Sequence, residues 1–181
     1  MNAFRENLKT YLEIEKILNE FFNAFHYCII NCVQKEPETA LRSARRGCCN
    51  DKYYKIHDLK HPAFELLRQE REKIYGKPPD LENSQGVSSC EYHTPEGCQL
   101  KSHKSPTCLS FLCKESIDFL RERCQVFGYD YLGIYYALEW ILTGDMLGKA
   151  LEEFKAGCLK MVEKVISSGN KKDFVMATIT F

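Results

Sequence analysis

Residues 3–34 read AFRENLKTYLEIEKILNEFFNAFHYCIINCVQ and carry one apolar pattern throughout. Apolar residues recur in this stretch at steps of three and four, the spacing of one face of an α-helix. They are Phe4, Leu8, Tyr11, Leu12, Ile17, Leu18, Phe22, Phe25, Ile29 and Val33. The pattern predicts a long amphipathic helix, which must bury this stripe against other elements.

Four further helices are predicted from the residues that suit their first and last positions. Pro62 suits the first position of a helix, Gly76 suits the residue just past its end, and the two prolines that follow cannot continue it. Aspartate favours helix starts and glycine favours helix ends because of their capping geometry. On these signals the other three helices are predicted to run from about Phe111 to Val126, from after Asp130 to Gly144, and from after Asp145 to Gly169.

Length and composition are those of one ordinary globular domain. A chain of 181 residues with 44% hydrophobic residues can bury a core without covalent staples. The 25 basic and 25 acidic residues balance, which argues against a nucleic-acid surface. Charged residues interrupt the first ten positions, and the uncharged stretch 21–34 is too short to cross a bilayer. We therefore expect a cytoplasmic protein with no nucleic-acid or membrane partner.

Cysteine is the one anomaly in this composition, because six of the ten cysteines lie in two short stretches, residues 48–49 and 90–113. The six are Cys48, Cys49, Cys90, Cys98, Cys108 and Cys113. In a reducing compartment, so many thiols indicate metal binding or thiol chemistry rather than disulfides. A turn at residues 94–97 would fold Cys90 back towards Cys98. Thiolates select zinc, copper(I) or an iron–sulfur cluster over calcium and magnesium.

Basic residues close to these cysteines in sequence could offset the negative charge of a thiolate centre. They are Arg45, Arg46, Lys101, Lys104 and Lys114. Neither a C-x-x-C pair nor the ferredoxin run is present, so free buried thiols remain an alternative. A nucleophilic Cys108, near Lys104 and before a predicted helix, is another. No orienting residue can be assigned to it, and the sequence predicts no particular reaction.

The remaining cysteines and the histidines fit structural roles better than ligand roles. His93 lies between Cys90 and Cys98 and is an alternative zinc ligand, but a histidine in an exposed turn fits the pattern better. His61 precedes Pro62 and is expected in a helix-capping region. Four cysteines lie in amphipathic helices and are predicted to face the core, namely Cys28, Cys32, Cys124 and Cys158. An aromatic cluster at helical spacing predicts core or interface positions for Tyr129, Tyr131, Tyr135, Tyr136 and Trp140.

Short cysteine motifs follow one another in order along residues 45–113. They are Gly47-Cys48-Cys49, then Cys90, then Gly97-Cys98, then Lys104-Ser105-Pro106-Thr107-Cys108. This arrangement resembles the YkgJ-type cysteine-cluster family, which is described as zinc- or iron-chelating. Flagellin lysine methylases contain a similar arrangement, which is associated with an iron–sulfur cluster. Family members usually carry further cysteines before the pair, where this chain has residues 43–46, and Cys113 could substitute for one of them.

The predicted fold is a mainly α single domain, 1–181, of about five helices with a cysteine-rich, metal-organised loop region. It comprises a long N-terminal helix and connection (1–44), a cysteine-cluster region with one helix (45–113) and C-terminal helices (114–181). The predicted function is metal binding by a [4Fe–4S] cluster on cysteine thiolates. The protein would have a redox or electron-transfer role, or it would assist an unidentified partner enzyme. The alternative is a structural zinc-binding interaction module without catalysis.

The resemblance and the bends of the chain also favour a particular ligand set. Cys90, Cys98 and Cys108 match the family pattern, and a fourth thiolate is expected from the adjacent Cys48 and Cys49. Adjacent side chains point apart in extended backbone, so only one of that pair should reach a single centre. We favour Cys49 for this position, with Cys113 as its competitor.

Overall fold

The structure is a computed structural model that describes residues 2–27, 56, 60–77, 92–94 and 97–169. Within these ranges the helices are α1 (Asn2–Ala24), α2 (Pro62–Tyr75), α3 (Pro106–Ser110), α4 (Lys114–Cys124), α5 (Tyr131–Thr143) and α6 (Gly148–Gly169). Two short strands, β1 (His93–Thr94) and β2 (Gly97–Cys98), pair antiparallel with His93 opposite Cys98. The predicted mainly α single domain is confirmed. None of the helices in the described ranges is long and apolar enough to span a bilayer.

Helix α1 forms the centre of the core, as its apolar stripe predicts. It packs mainly against α5 and α6, and its contacts with α2 and α3 are fewer. Tyr11, Phe21 and Phe25 are fully buried, and the Phe21 ring stacks on both Phe25 and Tyr129. The helix ends at Ala24, and the predicted continuation over residues 28–34 lies outside the described residues.

The bounds predicted for α2 are confirmed, and capping explains them. Pro62 is its first residue, and the His61 ring nitrogen Nδ1 accepts a hydrogen bond from the Ala63 backbone N–H at 3.2 Å. Gly76 follows the helix with a positive φ of 78° and donates its N–H to Glu72. His61 is therefore a capping residue, as its position before a proline predicts.

The single helix predicted from Phe111 to Val126 is wrong at both ends. Helix α3 ends at Ser110, and the extended residues 111–113 separate it from α4. This linker buries Leu112 in the core and sets the Phe111 ring edge-on to Tyr131. Tertiary packing thus overrides the helical spacing of these apolar residues. Helix α4 ends at Cys124, before the predicted Val126, because Gln125 takes a left-handed conformation.

The capping signals around α5 are confirmed. The Asp130 carboxylate accepts the Gly133 N–H at 3.0 Å, and Gly144 ends the helix at a φ of 90°. Gly144 also lies against α1, because a Cβ there would come within 2.7 Å of Asn7 Nδ2. The Asn7 amide in turn donates to the Leu142 carbonyl at 3.2 Å. Glycine is therefore required at position 144 for both backbone conformation and close approach.

Candidate metal centre

The structure describes three of the six predicted ligands. Cys98 ends β2, Cys108 lies in the short helix α3, and Cys113 precedes α4 as its N-terminal capping residue. Cys48, Cys49 and Cys90 lie outside the described residues. All three described thiols are free, and each is partly buried.

Cys98 and Cys108 are brought together. Both pack against one small buried cluster, formed by Tyr92 and Leu100. The two thiols lie close enough that the charge of Cys98 contributes to raising the pKa of Cys108. Two of the predicted ligands, ten residues apart in sequence, therefore converge at this end of the fold.

Cys113 does not join this pair. Its Sγ lies 3.1 Å from the Ser116 hydroxyl, within the first turn of α4. Across the described ranges, no three or more histidine, cysteine, aspartate or glutamate side chains are grouped so that they could hold a metal ion. The described residues thus provide two neighbouring thiols, and a four-ligand centre would need further ligands from outside them.

The loop between the two cysteines is held by a buried carboxylate of α1. Glu15 is 1% exposed, and its Oε2 and Oε1 accept the backbone N–H groups of His103 and Lys104 at 2.8 and 2.9 Å. His103 has a positive φ of 59°, which turns these consecutive N–H groups towards the carboxylate. Burial raises the Glu15 pKa to about 7, against the lowering effect of both hydrogen bonds.

Three more side chains fix the same loop, the segment 99–105. The Tyr11 hydroxyl donates to the Lys104 carbonyl at 2.7 Å, and the Asn19 amide donates to the Lys101 carbonyl at 3.1 Å. The Tyr75 hydroxyl oxygen accepts the backbone N–H groups of residues 101 and 102, each at 3.0 Å. Helices α1 and α2 therefore hold the loop through its backbone, which places few demands on the loop's own side chains.

Helix α3 is held just as firmly, so Cys108 sits on a rigid base. Ser105 caps the helix, and its hydroxyl accepts the Cys108 N–H at 3.2 Å. The Tyr129 hydroxyl donates to the Ser110 carbonyl at 2.7 Å, and the fully buried Leu109 anchors α3 in the core.

Arg71 on α2 supplies a buried positive charge beside the two cysteines. It is 3% exposed, and its guanidinium lies 5.9 Å from the centroid of the Tyr92 ring. Its charge lowers the pKa of Cys108 and of Glu15, although burial dominates both groups. Of the basic residues predicted to serve the centre, Lys104 has the same effect on Cys108, whereas Lys114 is exposed and pairs with Asp118. Arg45 and Arg46 lie outside the described residues.

The surroundings of Cys108 argue against a nucleophilic role. Burial raises the pKa of its thiol to about 11, although the Ser105 hydroxyl opposes this shift. A thiol with such a pKa is protonated at neutral pH, whereas a nucleophilic cysteine needs a lowered pKa. Metal coordination would instead displace the proton on binding.

Structural positions are occupied by His61, His103, Cys124 and Cys158. His103 is buried in the loop, with Nδ1 2.9 Å from the Ser102 hydroxyl, and burial lowers its pKa. His26 is exposed, and His57 lies outside the described residues. Cys124 and Cys158 are buried in the core, as predicted, whereas Cys28 and Cys32 lie outside the described ranges.

Sequence patterns alone did not identify Glu15 or Arg71. Glu15 stands four residues after Tyr11 on the face that α1 buries, and this polar break in an apolar face was the available signal. Arg71 lies within a charged helix, where basic residues are usually solvated, so no comparable signal marked it.

No protein-family model, curated protein or solved structure significantly matches this chain.

Proposed function

We propose that this protein binds a metal centre, a [4Fe–4S] cluster, through cysteine thiolates. The convergence of Cys98 and Cys108 carries the proposal, because two partly buried thiols share one packed cluster beside a fixed loop. Two more thiolates are needed, and we expect them from Cys90 and one of Cys48 and Cys49. Cys113 is the weaker candidate, because its thiol is within hydrogen-bonding distance of the Ser116 hydroxyl.

The donors and their surroundings are compatible with such a centre. Soft thiolates are the ligands that iron–sulfur clusters require, and four of them leave a net negative charge on the oxidised cluster. Arg71 and Lys104 offset this charge, and the packed Tyr92 and Leu100 limit the access of water. When bound, the cluster would supply one-electron transfer. The residues around Cys98 and Cys108 would hold it, exclude solvent and balance its charge.

The proposed role is electron transfer, or support of a partner enzyme, in the cytoplasm. The high pKa of Cys108 favours a ligand over a nucleophile. The resemblance to the YkgJ-type cysteine-cluster family supports iron or zinc at this position. The alternative is a structural module that binds zinc and has no redox chemistry, so the experiment must distinguish iron from zinc.

The test is anaerobic purification followed by an absorption spectrum and a metal analysis of the same sample. We expect a brown protein with broad visible absorbance and several irons and sulfides per chain. A colourless protein with one tightly bound zinc would indicate a structural zinc site instead of the cluster. A chain that retains neither metal, and accepts neither on reconstitution, would contradict the proposal.

A further inference from the structure

An open groove between α5 and α6 lies apart from the candidate metal centre. Its volume is about 430 Å³. Small residues from the two facing helices leave the space, notably Gly133, Ala137 and Gly157. Phe154 and Met161 line it with apolar surface. Aromatic and methionine side chains around such a hollow are typical of a binding surface for another protein.

The groove continues onto an exposed aromatic face of α5. Leu132, Tyr136 and Trp140 follow one another at steps of four residues and are 48%, 48% and 50% exposed. The Tyr136 and Trp140 rings stack at 6.2 Å, and Trp140 also lines the groove. One contiguous apolar surface therefore runs along the helix at the spacing that a partner helix would match.

The charges around this surface are mostly negative. Residues 128–161, which span the groove lining, contain five acidic and three basic residues, although the whole chain has no net charge. The acidic residues are Asp130, Glu139, Asp145, Glu152 and Glu153. Asp130 and Glu153 line the groove itself, which no lysine or arginine of the described ranges lines, and Lys149 lies 3.5 Å from Glu153. An occupant with positive charges beside its apolar side chains would complement this region.

We propose that the α5–α6 groove binds an amphipathic helix of a partner protein, with an apolar stripe flanked by lysine or arginine. The apolar stripe would enter the groove and cover Tyr136 and Trp140. The basic flanks would face the carboxylates of Asp130 and Glu153. The proposal is independent of the metal centre, since none of these residues contributes to it.

Gly157 allows the groove to be filled without disturbing the fold. No atom lies within 4 Å of the Cβ position at this glycine, so Gly157→Leu places a side chain in the groove. Ala156→Leu is the matched control, because Ala156 is exposed on the same helix and does not line the groove. Glu153→Lys tests the charge component separately.

The probe is a fluorescently labelled 18-residue peptide of leucine and lysine in helical alternation, with a leucine–glutamate peptide of the same pattern for comparison. Anisotropy gives the affinity, and the emission of Trp140, the only tryptophan, reports contact at the groove. We expect the lysine peptide to bind and to shift the Trp140 emission. Gly157→Leu should weaken binding at least tenfold, Glu153→Lys should weaken it at low salt, and Ala156→Leu should leave it unchanged.

Three results would overturn the proposal. The first is no binding of the lysine peptide, or equal binding of the glutamate peptide. The second is an equal effect of Gly157→Leu and Ala156→Leu, which would locate the binding elsewhere. The third is concentration-dependent dimerisation, detected by light scattering and abolished by Gly157→Leu, which would make a second copy of this chain the occupant.

Discussion

Glu15 holds the loop before Cys108 through two of its backbone N–H groups. A buried carboxylate would normally be costly, but here it satisfies two consecutive backbone N–H groups that have turned inward. Burial raises the Glu15 pKa to about 7, within the physiological range, although both hydrogen bonds oppose this shift. A single side chain of α1 thus couples the loop between Cys98 and Cys108 to pH.

This coupling predicts a specific pH dependence of stability. Because burial raises the Glu15 pKa from 4.5 to about 7, the folded state holds this proton more tightly than the unfolded state. The resulting stabilisation is complete below pH 4.5 and is lost as pH rises to about 7. It amounts to about 3 kcal/mol in the free energy of unfolding. Urea unfolding between pH 4.5 and 8 should show this fall in the wild type but not in Glu15→Gln.

Comparison with a neighbouring residue isolates the effect. Glu13→Gln alters an exposed carboxylate of the same helix and should keep the wild-type pH profile. The lowered pKa of His103 reduces the free energy of unfolding on acidification, opposite to the effect of Glu15. Because His103 is present in every variant, its contribution cancels when the pH profiles of the variants are compared. If the free energy of unfolding changed with pH in the same way for the wild type and Glu15→Gln, the raised pKa of the buried Glu15 would be refuted.

Arg71 should matter for the bound centre more than its place in a charged helix suggests. Arg71→Met keeps the length of the side chain beside Tyr92 but removes the positive charge. We expect about tenfold weaker metal retention against a chelator, because partners of the ligands commonly contribute on this scale. Arg68→Met, which removes a partly exposed arginine paired with Glu65 and Glu72, should retain the wild-type affinity. Equal losses from both variants would mean that general helix stability, not local charge, controls retention.

At the level of elements, local signals predicted most of the helices correctly. Asp130, Gly144 and His61 act at helix ends as their chemistry predicts. The break between α3 and α4 was not predictable in the same way, because Phe111 and Leu112 fit helical spacing. Their extended conformation follows from packing against α5 and the core, which local sequence does not encode.

Two glycines in helical regions should respond oppositely to substitution by alanine. Gly157 lies inside α6 with open space around it, so Gly157→Ala should raise the free energy of unfolding by up to about 1 kcal/mol. Gly144→Ala should lower it by about 1–3 kcal/mol, because position 144 has a positive φ and touches Asn7. Thermal and urea unfolding of both variants measure the effect. A stabilising Gly144→Ala would contradict the described contact between α1 and the end of α5.

On the scale of the whole molecule, the helical core and the candidate centre are built separately. Helices α5 and α6 each bury an apolar face against α1, whereas the segment 99–105 is fixed by hydrogen bonds from α1 and α2. Neither set of contacts requires a metal ion. The structure in this part of the chain should therefore survive metal removal.

Hydrogen exchange before and after chelation tests this separation. We expect the amides of α1, α5 and α6 to keep their protection, because the core buries sufficient apolar area by itself. The amides of His103 and Lys104 should also stay protected, since Glu15 accepts both. Global loss of protection on chelation would show that the metal supports the entire fold, as in a zinc finger.

The candidate site was only partly predictable from sequence, for a physical reason. Cysteine is chemically distinctive, so its clustering in the sequence marks Cys98 and Cys108 as two of six candidate ligands. Glu15, Tyr75 and Arg71 come from other elements and have ordinary residue types. Only the packing of α1 and α2 around the loop gives them their roles.

The metal content of single cysteine variants shows whether Cys98 and Cys108 are ligands. Iron and zinc per chain should be measured after anaerobic purification for the wild type, Cys98→Ser, Cys108→Ser and Cys124→Ser. We expect Cys98→Ser and Cys108→Ser to lose most of the metal while keeping a helical circular dichroism spectrum. Cys124→Ser, a substitution in the core, should retain wild-type metal per folded chain. Full metal in either Cys98→Ser or Cys108→Ser would contradict the assignment of this pair as ligands.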